Sequence, residues 1–115
     1  MITVKPVRSF QELRRFIGLP WRIYRGDPNW VPPLIFEQRR RLAPAVASFD
    51  EGRRGLFLAE YKGQPVGRLA VLCDPALNRA KGFRTGYFSL FECIDNLEVA
   101  GRMFEAAAAW LDRRG

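Results

Sequence analysis

The sequence predicts a single α/β domain of the α+β kind, with helices flanking one sheet in the order β-α-α-β-β-β-α. Three observations carry that prediction. Residues 55–74, GLFLAEYKGQPVGRLAVLCD, place two strongly apolar runs on either side of a Lys-Gly-Gln-Pro turn, which is the signature of a β-hairpin. From Asn96 onward the apolar residues recur at helical spacing. Ser9-Phe10-Gln11-Glu12 carries the S-x-x-E pattern of a helix start, directly after a short alternating stretch.

In chain order, Ile2, Val4 and Val7 alternate with Thr3, Lys5 and Arg8, a first strand placed near a sheet edge because Pro6 cannot donate to a ladder. The helix opened by Ser9 buries Leu13, Phe16 and Ile17, and Gly18 and Pro20 are expected to break it, leaving one or two further turns from Pro20. NWVPPLIFEQRRRLAP starts extended before its two prolines and turns helical from about residue 33 to 42. Residues 43–55 read as a connection, with DEGRRG its most turn-like part. The hairpin arms, 56–61 and 66–73, are apolar enough to lie inside a sheet covered on both faces. PALNRAKGFRTG reads as a polar loop, and residues 86–92 as another strand. In the last helix Leu97, Ala100, Met103, Phe104, Ala107, Ala108 and Leu111 form the apolar face. Asp95-Asn96-Leu97-Glu98 supplies its acidic cap and Arg113 and Arg114 suit its C-terminal dipole.

Composition narrows the function classes. At 115 residues and 48% hydrophobic content, residues 1–115 form one domain around one core. No stretch approaches the ~18 apolar residues of a membrane span, and the N-terminus has no signal-peptide pattern. The expectation is a cytoplasmic chain without a membrane partner. With no histidine, a Ser-His-Asp triad, a Cys-His pair and a His-ligated metal site are excluded, and no metal is expected. Cys73 and Cys93 show no ligand spacing and are expected as reduced, partly buried thiols. The net charge of +7, mostly arginine and including Arg39-Arg40-Arg41, favours an anionic partner such as a phosphorylated cofactor, an acidic protein surface or nucleic acid. A solvated surface explains the same charges. Nucleic-acid binding is the weakest class, since no strand interleaves aromatic with basic residues.

Four segments in order, LPWRIYRGDPNWVPPL, LFLAEYKGQPVGRLA, GYFSLFECIDN and AAAAWLDRRG, resemble the GNAT N-acetyltransferase superfamily. They look like the N-terminal part of an uncharacterised bacterial acetyltransferase-like branch. The resemblance implies a mixed, mainly antiparallel sheet whose C-terminal strands this chain lacks. It also implies transfer of an acetyl group from acetyl-CoA to an amine, on a small molecule or a peptide. A non-catalytic module that completes its sheet through a homodimer or partner chain is the alternative.

By the same resemblance, Phe88, Leu90 and Phe91 would pair with the cofactor's pantetheine arm. Cys93, Ile94 and Asn96 would form the turn for its pyrophosphate, with Arg102 offsetting nearby acids. CIDNLEVAGR departs from the family's Gln/Arg-x-x-Gly-x-Gly/Ala turn, because it has no glycine before the helix. Asp95 and Glu98 would bring negative charge to that turn, and they also serve as ordinary helix caps. Glu92 is the candidate general base, since an ammonium must lose a proton before its nitrogen can attack. An outward position or an ion pair with Arg68 is its structural alternative. Tyr87 and Tyr24 are candidate proton donors to the leaving thiolate, or amphipathic residues at the core edge. Tyr24, Trp30, Trp21 and Phe36 would line an acceptor pocket, or pack against the sheet.

Overall fold

The computed structural model describes residues 1–47, 53–82 and 86–113. Parts of the DEGRRG turn and of the loop before Gly86, together with Arg114 and Gly115, lie outside the described residues. The elements are β1 (Ile2–Pro6), α1 (Phe10–Ile23), α2 (Ile35–Ala47), β2 (Arg54–Tyr61), β3 (Gln64–Cys73), α3 (Pro75–Lys81), β4 (Gly86–Cys93) and α4 (Leu97–Asp112). The strands form one sheet in the order β1-β2-β3-β4, and every neighbouring pair is antiparallel.

The expected hairpin is present, with a tighter turn than the four residues anticipated. Lys62 and Gly63 alone connect the strands, both at positive φ (52° and 76°), the geometry whose twist matches that of paired strands. Because side chains alternate along a strand, the sheet feeds two cores, one on each face, where the sequence suggested one. Leu56, Leu58 and Ala70 pack with Val7, Leu13, Phe16, Leu42 and Val46 under α1 and α2. Phe57, Ala59, Leu69 and Val71 pack with Val99, Met103, Ala107 and Trp110 under α4.

Proline accounts for two corrections. α1 runs unbroken through Gly18 and Pro20 rather than ending near Ile17. An amide at position 20 would have bonded the carbonyl of Phe16, and Pro20 has none. The guanidinium of Arg68, arriving from β3, donates to that carbonyl at 3.1 Å and so supplies a bond the helix lacks. Likewise α2 continues past residue 42 and through Pro44 to Ala47, because Leu42, Ala45 and Val46 are buried against the sheet.

Two further expectations are corrected. Residues 75–81 form a short helix rather than a loop, N-capped by Asp74, whose carboxylate accepts from Leu77 N at 3.1 Å, and closed by Gly82 at φ 72°. In α4 the inward face is Val99, Met103, Ala107 and Trp110, while Leu97 is 91% exposed and Ala108 points outward. The cap is Asn96, one residue later than expected, with its side chain accepting from Glu98 N and Val99 N at 2.9 and 3.2 Å. The Ser9 cap stands as read: its hydroxyl accepts from Glu12 N at 3.1 Å, and the Glu12 carboxylate accepts from Arg8 N at 3.0 Å. α1 is also tied to the hairpin end by Arg15, which pairs with Glu60 and donates to Gly63 O at 2.6 Å.

Candidate active site

The site is built around an irregularity in β4. Arg68 stands opposite Glu92, but Ala70 stands opposite Ser89, so β4 carries one extra residue across from Leu69. Leu90 absorbs it with φ 56°, a left-handed conformation that a leucine seldom takes. One extra residue reverses which face the following side chains meet. Phe88 and Phe91 both contact Phe104 of α4, with ring centroids 5.1 and 5.2 Å apart, whereas Leu90 packs into the core under α1 and α2. Glu92 is thereby turned toward α1.

There it meets Tyr24, the C-cap residue of α1, whose hydroxyl donates to Glu92 Oε2 at 2.6 Å. The loop after α1 then folds back on itself. Trp30 N donates to Asp27 O at 3.4 Å, Gly26 takes φ 87°, and the Trp30 ring stacks on Tyr24 at 5.5 Å and meets Trp21 edge-on at 5.2 Å. The hydrogen bond to Glu92, then burial and the Glu92 charge, push the Tyr24 phenol above its usual range, so it stays a donor at neutral pH.

Arg68 holds the arrangement from behind. Only 3% exposed, it donates through Nε to Leu90 O at 3.0 Å and through Nη1 to Phe16 O, with its guanidinium 5.1 Å over the Phe16 ring. One side chain thus bridges the proline-interrupted turn of α1 and the bulge that aims Glu92. Burial lowers its pKa, and the charges of Glu92 and Tyr24 oppose that shift. Beside the bulge a groove of about 240 Å³ opens between α2 and β4, lined by Gln38, Arg41, Leu42, Arg54, Ser89 and Leu90. The buried Gln38 Oε1 has no hydrogen-bond partner among the described residues.

The structure therefore brings Glu92, Tyr24 and Trp30 together with Arg68, which the sequence offered as an ion-pair alternative for Glu92 and as an offset for nearby acids. Arg68 had one signal, an arginine inside the apolar run VGRLAVLC; Gln38 had none. Tyr87 lies opposite Leu72 at the other end of β4 and does not join Glu92. Phe36 is strongly exposed and stands apart from the two tryptophans' ring contacts.

The turn expected to hold a pyrophosphate is occupied by the protein's own contacts. Ile94 N donates to Val66 O at 3.0 Å, Glu98 N and Val99 N are taken by Asn96, and Arg102 donates to Ile2 O at 3.3 Å. Cys93 pairs with Gly67 and its thiol lies 4.0 Å from Asn96 O; burial, then the charge of Asp95, raises its pKa. With Asp95 and Glu98 alongside, this donor set does not fit a diphosphate as it stands. The outer edge of β4, in contrast, pairs with no strand among the described residues.

No family model matches the chain. It is 37% identical over 116 residues to a Caulobacter vibrioides (strain NA1000 / CB15N) protein named bacterial ceramide synthase, covering 99% of this chain and 30% of that protein. It is 35% identical over 112 residues to protein YghO of Escherichia coli (strain K12), covering 95% and 29%. The chain thus spans under a third of the length of these curated relatives. A crystal structure of a Pyrococcus horikoshii protein assigned as an acetyltransferase superposes with a TM-score of 0.56 at 16% identity, over all of this chain and 77% of that one. That likeness establishes an acetyltransferase-like fold.

Proposed function

We propose that this chain forms the amine-activating part of an N-acyltransferase, in which Glu92 is the general base and Tyr24 orients it. The observation that carries the reading is the 2.6 Å hydrogen bond from Tyr24 to Glu92 at the bulge of β4, in a fold of the acetyltransferase type. Glu92 takes a proton from the substrate ammonium, and the freed nitrogen attacks the carbonyl of an acyl thioester. The C–N bond forms, the attacking nitrogen gives up its second surplus proton as the C–S bond breaks, that proton goes to the leaving thiolate, and Glu92 returns its own to solvent. Tyr24, protonated throughout, leaves one carboxylate oxygen for the ammonium and fixes the other.

Acetyl-CoA is the donor expected from the resemblance, and the open edge of β4 suits the extended arm of such a thioester. No step is assigned to the turn at Asn96. A ceramide is a fatty amide of a long-chain amino alcohol, so the name of the Caulobacter relative supports an amine that carries a hydrocarbon chain.

The test is release of free thiol from acetyl-CoA and from longer acyl-CoA thioesters in the presence of short and long-chain amines. Glu92→Gln lowers turnover by ~10²-fold or more at neutral pH while thioester binding persists, in the range general bases contribute. Tyr24→Phe lowers turnover about tenfold and shifts the pH profile. Wild-type rates from Glu92→Gln overturn the assignment. The engaged amides at the entry to α4 favour a second reading, a non-catalytic module that completes its sheet on another chain. Absence of thiol release together with a stable dimer would select it.

A further inference from the structure

The largest unexplained surface feature is the entry to α2. Val31, Leu34 and Phe36 are 83%, 71% and 78% exposed and Ile35 is half exposed, although the second half of the same helix buries Leu42, Ala45 and Val46. The next turn carries Arg39, Arg40 and Arg41, all exposed. On a helix, residues four apart are neighbours, so Arg39 stands behind Ile35 and Arg40 behind Phe36, about 6 Å further from the tip. Pro32 and Pro33 hold the preceding segment extended, so that Val31 joins the same protruding end.

We infer that this tip, Val31 to Phe36 with the arginines behind it, docks on the surface of an anionic lipid bilayer. A protein core laid over the apolar residues would also have to cover three adjacent cations, at a desolvation cost that apolar contact does not offset. A bilayer accepts both layers at once. The apolar tip enters the boundary between headgroups and acyl chains, and the guanidinium groups reach back to lipid phosphates. The excess of cations over anions in the chain acts in the same direction. This departs from the expectation of a chain without a membrane partner. Trp30 directly precedes the tip and stacks on Tyr24, the residue bonded to Glu92, so a docked tip sets the candidate base beside the membrane surface. That last connection, to a lipid amine as acceptor, rests on the acyl-transfer reading; docking itself does not.

The experiment is co-sedimentation of the purified protein with vesicles of phosphatidylcholine alone and of phosphatidylcholine with phosphatidylglycerol. Circular dichroism and a thermal melt verify that each variant is folded. Wild type binds the anionic vesicles and binds the neutral ones more weakly. The double variant Leu34→Ser, Phe36→Ser loses on the order of tenfold in affinity for both. The triple variant Arg39→Gln, Arg40→Gln, Arg41→Gln loses at least about tenfold for anionic vesicles only, and Val31→Ser gives a smaller loss of the apolar kind.

Failure of wild type to bind anionic vesicles overturns the inference. So does unchanged binding by the serine variant, which would mean adsorption by charge alone. A dimer that the serine variant dissolves would assign the tip to a second copy instead. Glu92→Gln binds vesicles as wild type does; vesicle binding by wild type without thiol release would sink the acyl-transfer reading and leave the membrane surface standing.

Discussion

Replacing Arg68 by methionine probes the junction on which the site depends, and its cost can be worked from the structure. The side chain is buried and donates to two carbonyls, Leu90 O at the bulge and Phe16 O in α1. Each carbonyl that loses a buried donor costs about 1–3 kcal/mol. Part of that is recovered, because a buried guanidinium no longer has to be desolvated. A net destabilisation of about 2–4 kcal/mol follows, measured as a lower urea midpoint at unchanged slope. The origin of the Phe16 share can be isolated. Pro20→Ala restores an amide at the position that can reach Phe16 O, so in the methionine background the helix closes its own bond. The two substitutions should therefore couple by about 1–2 kcal/mol, the double variant being more stable than the sum of the singles. The entropic effect of removing proline from the unfolded chain is common to both backgrounds and cancels in the cycle. Strict additivity would refute the claim that Arg68 stands in for the amide missing at Pro20.

Other expectations are more local. Ser9→Ala removes the α1 cap and costs about 1 kcal/mol in thermal or chemical unfolding. Burial raises the Glu12 pKa, but hydrogen bonds from Arg8 N and Ser9 and the charge of Lys5 outweigh it, so the folded pKa is lowered. That contribution is complete above the unfolded carboxylate range and is lost as pH falls through the folded pKa; Glu12→Gln should flatten the acid limb of a stability profile. Gly67→Ala puts a methyl group 2.6 Å from the Met103 methyl and 3.1 Å from Val99 Cγ1, and a loss of about 1–3 kcal/mol is expected from overpacking beneath α4. Asn96→Ala should cost about 1 kcal/mol by uncapping α4, read from the same melts.

The hairpin, β4 and the existence of α4 were legible because each rests on a local signal: apolar runs about a Lys-Gly turn, and a change of period at Asn96. Legibility failed where a distant residue met a local need. Pro20 reads as a helix breaker in any window of the sequence, and only a guanidinium from a strand far along the chain reverses that reading. The end of α2 was set too early for a similar reason, since burial of Leu42, Ala45 and Val46 carries the helix through Pro44 to Ala47. α3 is a different kind of miss, because Asp74-Pro75 and Gly82 are clear start and stop signals that its polarity obscured. In α4 the period was right but the face was rotated. Leu97 was counted inward, whereas the fully buried Trp110 was left out.

The bulge explains why the site was half visible. Strict alternation puts Glu92 on the face of Phe88, toward α4, where no acceptor-side residue of α1 could meet it. One extra residue at Leu90 exchanges the faces, and nothing in YFSLFEC marks which residue is extra. The left-handed Leu90 is unfavourable by about 1–2 kcal/mol, so something must hold it. Arg68 does, by binding the Leu90 carbonyl while its other nitrogen is fixed on α1. Strain, buried charge and an interrupted helix, each unfavourable alone, are thus resolved at one side chain, and their joint product is a carboxylate facing Tyr24. If Leu90→Gly relieves the left-handed strain and keeps the bulge, Glu92 stays in place and Tyr24 should keep its raised pKa in a spectrophotometric phenol titration. If the strand instead returns to regular pairing, the phenol falls back toward its ordinary range and Glu92 no longer faces the site.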